Sequence, residues 1–496
     1  MSIRNKIKLL LAYKKYKNKH EIIKPRQIKD NISIIPLSNI SNTEFDKELE
    51  LSIRQDLVQR HLLRKFLSSL LVSYAWDCKF TYGLPKQWRN YVSSEVRVSD
   101  LHSSVNWFFY STMRFCYDLF RISILFKCYL KPKKNIIISG SFCHIEGVNL
   151  RKNVSDEISP HDDFARWLSL KNSDTFLFNT KEGGSFKFLN KNYRAIKFPE
   201  DIVRSNYTFT SLLKNFIISI RKLIQQSNLP LNLKILCFYD YLIKELLPPS
   251  IYNPSEVFYV YQGTFKRNLW TYGKKTSLWF YSINNVGPKL RGLTDIGAGH
   301  KILSFDIYYT WNHEHSNWLR SFGIPSMSLV HSGPMSLYAR DFSKIINENN
   351  FIAIFDIHPI KYLQAAEMAL INNYYSMNIY SKFLKDTLFS ILNNGYRPIL
   401  FPKKWSPEII FILKSLLKGS NYSLSDVTIF DKSSSYVASK YSIFNICYPL
   451  TSVAHYFPHK SIYYDPLSII ENDCESNPKI IFGPKNLDIF LKQLKS

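Results

Sequence analysis

FIAIFDIHP, residues 351–359, holds five consecutive apolar residues followed at once by Asp356, His358 and Pro359. An apolar run without alternation is buried on both faces, as strands of a parallel sheet are. The pattern around it repeats downstream. A helical periodicity covers Tyr362–Leu392, an apolar strand Arg397–Phe401 and a helix Pro407–Leu417. Then come a strand Val427–Phe430, a short helix Ser435–Lys440, a strand Ile443–Cys447, a helix Val453–Phe457 and a strand Lys460–Tyr464. Lys479–Phe482 and a helix Asn486–Lys495 close the series. Strands alternating with helices predict a doubly wound parallel sheet.

Upstream, a similar series is predicted. Strands are expected at Asn135–Ser139, Asp174–Phe178, Val257–Tyr261, Ser277–Tyr281, Ile302–Tyr309 and Ser326–Val330, with helices between them such as Phe209–Gln226. The fold class expected is therefore α/β, with two Rossmann-like domains and an N-terminal helical extension. The expected domains are a helical region 1–130, a first Rossmann-like domain 131–335 and a second 336–496, the break falling near 332–349.

Composition agrees with a large globular protein. The 496 residues are 45% hydrophobic and 21% charged, too long for one core and too apolar for disorder. The net charge is +26, but residues 326–496 hold 17 basic against 13 acidic side chains, so the excess lies earlier. Residues 1–30 alone carry 10 basic and 2 acidic groups. Ile3, Ile7, Leu10 and Leu11 share one face of a basic helix over residues 1–20, a pattern suited to an anionic membrane surface or to packing on its own domain. The segment Ser104–Leu130 is strongly apolar, but Arg114, Asp118, Arg121 and Lys127 interrupt it, so it is not expected to span a bilayer; a core helix is expected, with shallow membrane insertion flanked by Lys131, Lys133 and Lys134 as the alternative. The seven cysteines are scattered without a CxxC pair, which argues against a disulfide framework or zinc site and fits a reducing, cytoplasmic compartment.

Ligands of doubly wound sheets bind beyond the carboxyl ends of the strands. In the second half that edge collects Asp356, His358 and Pro359, then Lys403 and Lys404, then Asp431, Ser433 and Ser434. It also collects Pro449, Thr451 and Ser452 after strand 443–447, and Asp465 after strand 460–464. Thr451 and Ser452 precede a helix, where hydroxyls and open N–H groups either bind an anion or simply cap the helix.

The string YPLTSVAHYFPHKSIYYDP, residues 448–466, resembles the signature of the polysaccharide biosynthesis proteins named for a PFTS motif, with Leu450 where that family usually has Phe. Leu269–Tyr272, Phe280–Ser282, Ser332–Pro334, and Ile354–Asp356 with Pro359 resemble further strings of that family in the same order. The resemblance implies a glycosyltransferase of the two-Rossmann (GT-B) type serving capsule or O-antigen assembly. Residues 131–335 would then be the acceptor side and 336–496 the nucleotide-sugar side. His358-Pro359 and Thr451-Ser452 are also similar to the His-Pro and Ser/Thr pairs of bacterial sialyltransferase-like and Kdo-transferase-like enzymes, which points to a CMP-linked donor and to His358 at the leaving phosphate.

On that reading the expected donor-binding residues are Asp356, Lys403, Lys404, Ser433, Ser434, Pro449, Thr451, Ser452 and Asp465, and the expected catalytic residues Glu314, His313 and His358. The base should come from the first half. Candidates are Glu146 with His144, Asp162 or Asp163, and His313-Glu314-His315. The last group is preferred because it follows a strand end. Zinc is the rival reading of His313 and His315, but their spacing supplies no third ligand. No cofactor beyond the nucleotide sugar is expected, and no metal. Expected partners are the donor, a glycan or lipid-linked acceptor and an anionic membrane surface, at the inner face of the cytoplasmic membrane. Nucleic acid and a non-catalytic scaffold role are the competing readings; no helix-turn-helix, zinc-finger or RNA-binding string supports the first.

Overall fold

The computed structural model describes residues 100–130, 141–146, 160–179, 185–188, 190–225, 231–261, 267–280, 303–321, 323–333, 351–357, 377–402, 407–429, 442–449, 451–468, 470 and 478–494. The expected helix 1–20, strand 135–139, helix 435–440 and break near 332–349 fall outside them, apart from residues 332 and 333.

Two sheets organise the chain. The first has eight strands: β1 (Phe142–Glu146), β2 (Thr175–Asn179), β3 (Phe186–Phe188), β4 (Lys191–Ile196), β5 (Glu256–Tyr261), β6 (Thr276–Phe280), β7 (Ile307–Thr310) and β8 (Leu329–His331). Their spatial order is β3-β4-β2-β1-β5-β6-β7-β8. Only the β3–β4 pair is antiparallel. Six strands form the second: β9 (Phe351–Phe355), β10 (Arg397–Phe401), β11 (Thr428–Ile429), β12 (Phe444–Cys447), β13 (Ser461–Asp465) and β14 (Lys479–Phe482). Their order is β11-β10-β9-β12-β13-β14, all parallel. Counted from β9 this is the 3-2-1-4-5-6 Rossmann order, with the reversal between β9 and β12. The fold class is thus the expected α/β pair of Rossmann-like halves, and residues of the two halves face one another, as described below.

Helices cover the sheets. They are α1 (Asp100–Lys127), α2 (Pro160–Ser169), α3 (Glu200–Asn206), α4 (Phe209–Gln225), α5 (Leu231–Leu246), α6 (His313–Ser321), α7 (Met377–Asn393), α8 (Pro407–Leu417) and α9 (Pro484–Gln493). Alternation along the strands of the first sheet divides its core in two. Val257, Tyr259, Leu278 and Phe280 face Leu212, Leu223, Leu242 and Leu246 of α4 and α5. Their neighbours Phe258, Val260 and Trp279 face Phe164, Trp167 and Leu168 of α2. Every residue of β9 is buried, which explains its unbroken apolar sequence. Burying one such side chain contributes roughly 1.5–3 kcal/mol.

Several expected elements change. Among the described residues, β1, β3 and β4 were not expected. Strand 302–309 shortens to Ile307–Thr310, and Ser326–Ser328 is a 3-10 turn leading into β8. β11 keeps two residues of 427–430. The helix expected over 453–457 is instead a 3-10 turn, Ser452–His455, and the strand after it runs to Asp465. Pro458 explains the shortening. A residue before proline is pushed out of the helical region, and Phe457 has φ −137° and ψ 75°.

Candidate active site

The reversal in strand order puts the ends of β9 and β12 side by side, with Cys447 opposite Phe355. The Tyr448 N–H donates to the Phe355 carbonyl at 2.8 Å, which carries the chain over the sheet edge into Pro449 and Thr451. Asp356 is buried there, and its Oδ2 accepts the Tyr380 hydroxyl at 2.6 Å. Beyond β12 the turn is braced from below. Tyr463 donates its phenol to the Thr451 carbonyl at 2.8 Å.

Thr451 occupies the N-cap position of the 3-10 turn, yet its side chain makes no capping hydrogen bond. Thr451 is 6% exposed, and its buried hydroxyl has no hydrogen-bond partner. Burial pushes the pKa of the Cys447 thiol up and its side-chain contact with Thr451 pulls it the other way, so that thiol is the polar group facing the otherwise unpartnered hydroxyl. A buried, unmatched hydroxyl at a ligand edge costs free energy, so it is a place where a bound oxygen would be welcomed. Capping does not account for Thr451. Asp465 is different: its Oδ1 accepts the Leu467 N–H at 2.9 Å and its Oδ2 the Ile470 N–H at 2.8 Å, and the residue is fully buried. That geometry ties down the loop after β13.

The other wall comes from the first sheet. After β7 the chain turns through Trp311 and Asn312 into α6, and the Asn312 side chain accepts the His315 N–H at 2.9 Å, a regular N-cap. The Trp311 indole donates to the Phe280 carbonyl at 2.9 Å. Its ring stacks on Tyr456 of the second half at 5.4 Å and 15°. In the first turn of α6, Glu314 Oε2 lies 3.5 Å from Nδ1 of His455. His455 is buried, and burial pushes its pKa down to about 4, so it is neutral near pH 7. Glu314 is raised by burial, although its side chain keeps 45% of its exposure. The contact is therefore a neutral imidazole facing a carboxylate, and not an ion pair. His313 is exposed, with its ring 5.9 Å from that of His331. His331 in turn meets the Ser316 hydroxyl at 2.9 Å.

Of the expected residues, Glu314 and the Pro449–Ser452 turn thus approach one another through His455. His358, Lys403, Lys404, Ser433 and Ser434 lie outside the described residues. Glu146 ends β1, where its sheet reverses between β1 and β5, and its Oε1 is 3.2 Å from His144 Nε2. The His144 ring is enclosed by Phe198, Tyr252 and Trp270. Asp162 and Asp163 fall in the first turn of α2. Among the described residues no group of three or more His, Cys, Asp or Glu could hold a metal. His455 escaped the sequence reading: it is one of 12 histidines, and its role depends on a carboxylate 141 positions earlier.

Three solved structures align with most of the chain. A wall teichoic acid polymerase, TagF, aligns over 79% of this chain and 91% of its own, at 12% identity and TM-score 0.37. A trehalose 6-phosphate synthase from Burkholderia multivorans covers 72% and 90% at 10% identity and TM-score 0.38. A UDP-GlcNAc 2-epimerase from Methanocaldococcus jannaschii covers 71% and 92% at 12% identity and TM-score 0.34. All three likenesses are loose. A sequence search of curated proteins finds no match. A family model, by contrast, matches residues 218–488, from within α4 to within α9 and through both sheets. With more than half its length in that match, the chain belongs to the family of polysaccharide biosynthesis PFTS motif proteins.

Proposed function

We propose that this protein is a glycosyltransferase that moves a sugar from a nucleotide-sugar donor, with CMP-linked sugars the first candidates, to a growing surface polysaccharide or its lipid-linked precursor. The observation that carries the reading is the 3.5 Å approach of Glu314 to His455, three residues past Ser452 in the segment whose Thr451 hydroxyl has no hydrogen-bond partner. In the step, the bond between the sugar's anomeric carbon and the leaving phosphate breaks. The acceptor oxygen bonds to that carbon and gives its proton to Glu314, with His313 nearby. Negative charge gathers on the leaving phosphate, where Thr451, Ser452, Lys403, Lys404 and His358 are the proposed donors. Asp356, Pro449, Ser433 and Ser434 would shape the pocket, and Asp465 would hold its floor. The step as written uses no metal.

Holding donor and acceptor on separate halves lets closure exclude water and orient both. His455 fits this scheme because it bridges the halves without adding charge at neutral pH. The protein would work at the inner face of the cytoplasmic membrane, with residues 1–20 as a basic anchor.

A thermal-shift screen with CMP, UDP, GDP and dTDP tests donor binding first, since a ligand stabilises the folded state by mass action. Nucleotide release from the matching sugar donor, dependent on acceptor, tests transfer. Stabilisation without any release of nucleotide would favour a scaffold, and no stabilisation by any nucleotide would remove the donor site.

A further inference from the structure

Sixteen large hydrophobic side chains are exposed among the described residues, and ten of them lie on α1 and α4. On α1 they are Phe115, Tyr117, Leu119, Phe120 and Ile124; on α4 they are Phe209, Leu213, Ile217, Ile218 and Ile224. The two helices are neighbours. Phe126 of α1 meets Phe209 and Phe216 of α4 edge-on at 5.6 and 5.8 Å. Both helices pack inward on α5. Water-facing α4 turns would ordinarily be polar, because an amphipathic helix on a globular core carries its apolar stripe inward. Here Leu212 and Leu223 already serve the core, and a second apolar stripe faces out.

Among the described residues, the charge on this face is mainly positive. Lys127 at the end of α1 and Lys214, Arg221 and Lys222 on α4 are exposed. α4 contains no acidic residue. The one acid of α1 from residue 112 onward, Asp118, is fully buried and 3.9 Å from Arg121. Glu245 of α5 offsets Lys222 alone, at 2.6 Å. Isoleucines and phenylalanines interleaved with unopposed cations match the two layers of a bilayer surface, acyl chains beneath anionic headgroups. A nucleic-acid face would need cations at its centre where this one has apolar groups.

We infer that the outer faces of α1 and α4 form a docking surface for an anionic lipid bilayer, with the apolar side chains entering the headgroup boundary and Lys127, Lys214 and Arg221 meeting lipid phosphates. This rests on the proposed function for its biological sense, a lipid-linked acceptor being reached at that surface. No helix of the described residues is long and apolar enough to cross a membrane, so the contact is lateral.

The test is co-sedimentation of the full chain with phosphatidylcholine vesicles, with and without phosphatidylglycerol, beside sedimentation without lipid. The chain should partition to the phosphatidylglycerol vesicles and come off as salt rises. Ile217→Glu with Ile224→Glu should weaken partition by about tenfold or more, and Lys214→Gln with Arg221→Gln by about fivefold per cation. All four positions are exposed, so melting temperature should hold; should the glutamate pair unfold the chain, the glutamine pair carries the test. Unchanged partition in the folded variants overturns the inference. So does equal binding to vesicles lacking phosphatidylglycerol, or a lipid-free dimer that the glutamate pair splits. Partition needs no turnover, so a vesicle-bound chain that releases no nucleotide counts against the transfer reading alone.

Discussion

Glu314, carried by the first sheet, stands 3.5 Å through Oε2 from Nδ1 of His455, carried by the second. That is somewhat longer than a formed hydrogen bond, and catalytic contacts tighten when substrate closes a site. If Glu314 is the base, Glu314→Gln should lower turnover by roughly 10²- to 10⁴-fold with nucleotide affinity nearly unchanged. Turnover in the parent should fall as pH drops through the Glu314 pKa, and burial places that limb above the ordinary glutamate range. Steady-state rates against pH, alongside nucleotide titration, check both. A variant that keeps parental turnover would move the base elsewhere, with Glu146 the next to test.

His455 gives a stability signature of its own. Its imidazole takes up a proton near pH 6.5 when unfolded and at about 4 when folded. Between those values the unfolded chain binds more protons, so stability is present above pH 6.5 and lost as pH falls through 4, on the order of 3 kcal/mol in all. Glu314, raised by burial, works in the opposite direction, but it is nearly half exposed and offsets little. His455→Gln should therefore flatten the urea midpoint against pH in that window. An equally steep dependence in the variant would assign the effect to other groups.

Thr451 and Ser452 can be told apart from mere caps. The Thr451 side chain makes no capping hydrogen bond, so Thr451→Val should leave the melting temperature unchanged or slightly higher. Nucleotide affinity should drop by about ten- to a hundredfold, because hydrogen bonds to charged groups are worth about 1.5–3 kcal/mol. Ser452→Ala should lower affinity by about the same factor. Lower stability with intact affinity in Ser452→Ala would leave Ser452 a structural part of the 3-10 turn only.

Tyr463 and Asp465 should behave oppositely. Tyr463→Phe strips the buried Thr451 carbonyl of its donor, and Asp465→Asn weakens the clasp on Leu467 and Ile470. Each should cost about 1–3 kcal/mol in denaturant unfolding. Only Tyr463→Phe should also weaken nucleotide binding, by loosening the turn. Reduced nucleotide affinity in a stable Asp465→Asn protein would return Asp465 to the donor-contacting set.

How much of this was legible depended on how local the signal was. β9 and β10 were read to the residue because their apolar runs end at Asp356 and Pro402, and α8 because Pro407 opens it and Gly419 lies just past its end. β1 was missed because His144 and Glu146 give it polar character, and burial among aromatic rings is what makes that tolerable. β4, reading KNYRAI, has no apolar run at all. The turn holding Pro449, Thr451 and Ser452, proposed here for the donor, stands out by its string and its place after a strand. Its partner across the cleft was proposed only as a strand-end carboxylate, since no local pattern pairs Glu314 with His455.

The strand order of the second sheet also has a consequence for synthesis. β9 is made first but ends up in the middle, with β10 on one side and β12 on the other. Its β10 edge can close early, whereas the β12 edge waits for roughly ninety more residues, about 5–20 s at ordinary elongation rates. During that interval a fully apolar strand has an unpaired side, which is the setting in which nascent chains stick to one another. Chains interrupted before Cys447 should therefore depend on chaperones for solubility, and the family's signature turn, following β12 directly, takes shape only once that last gap is filled.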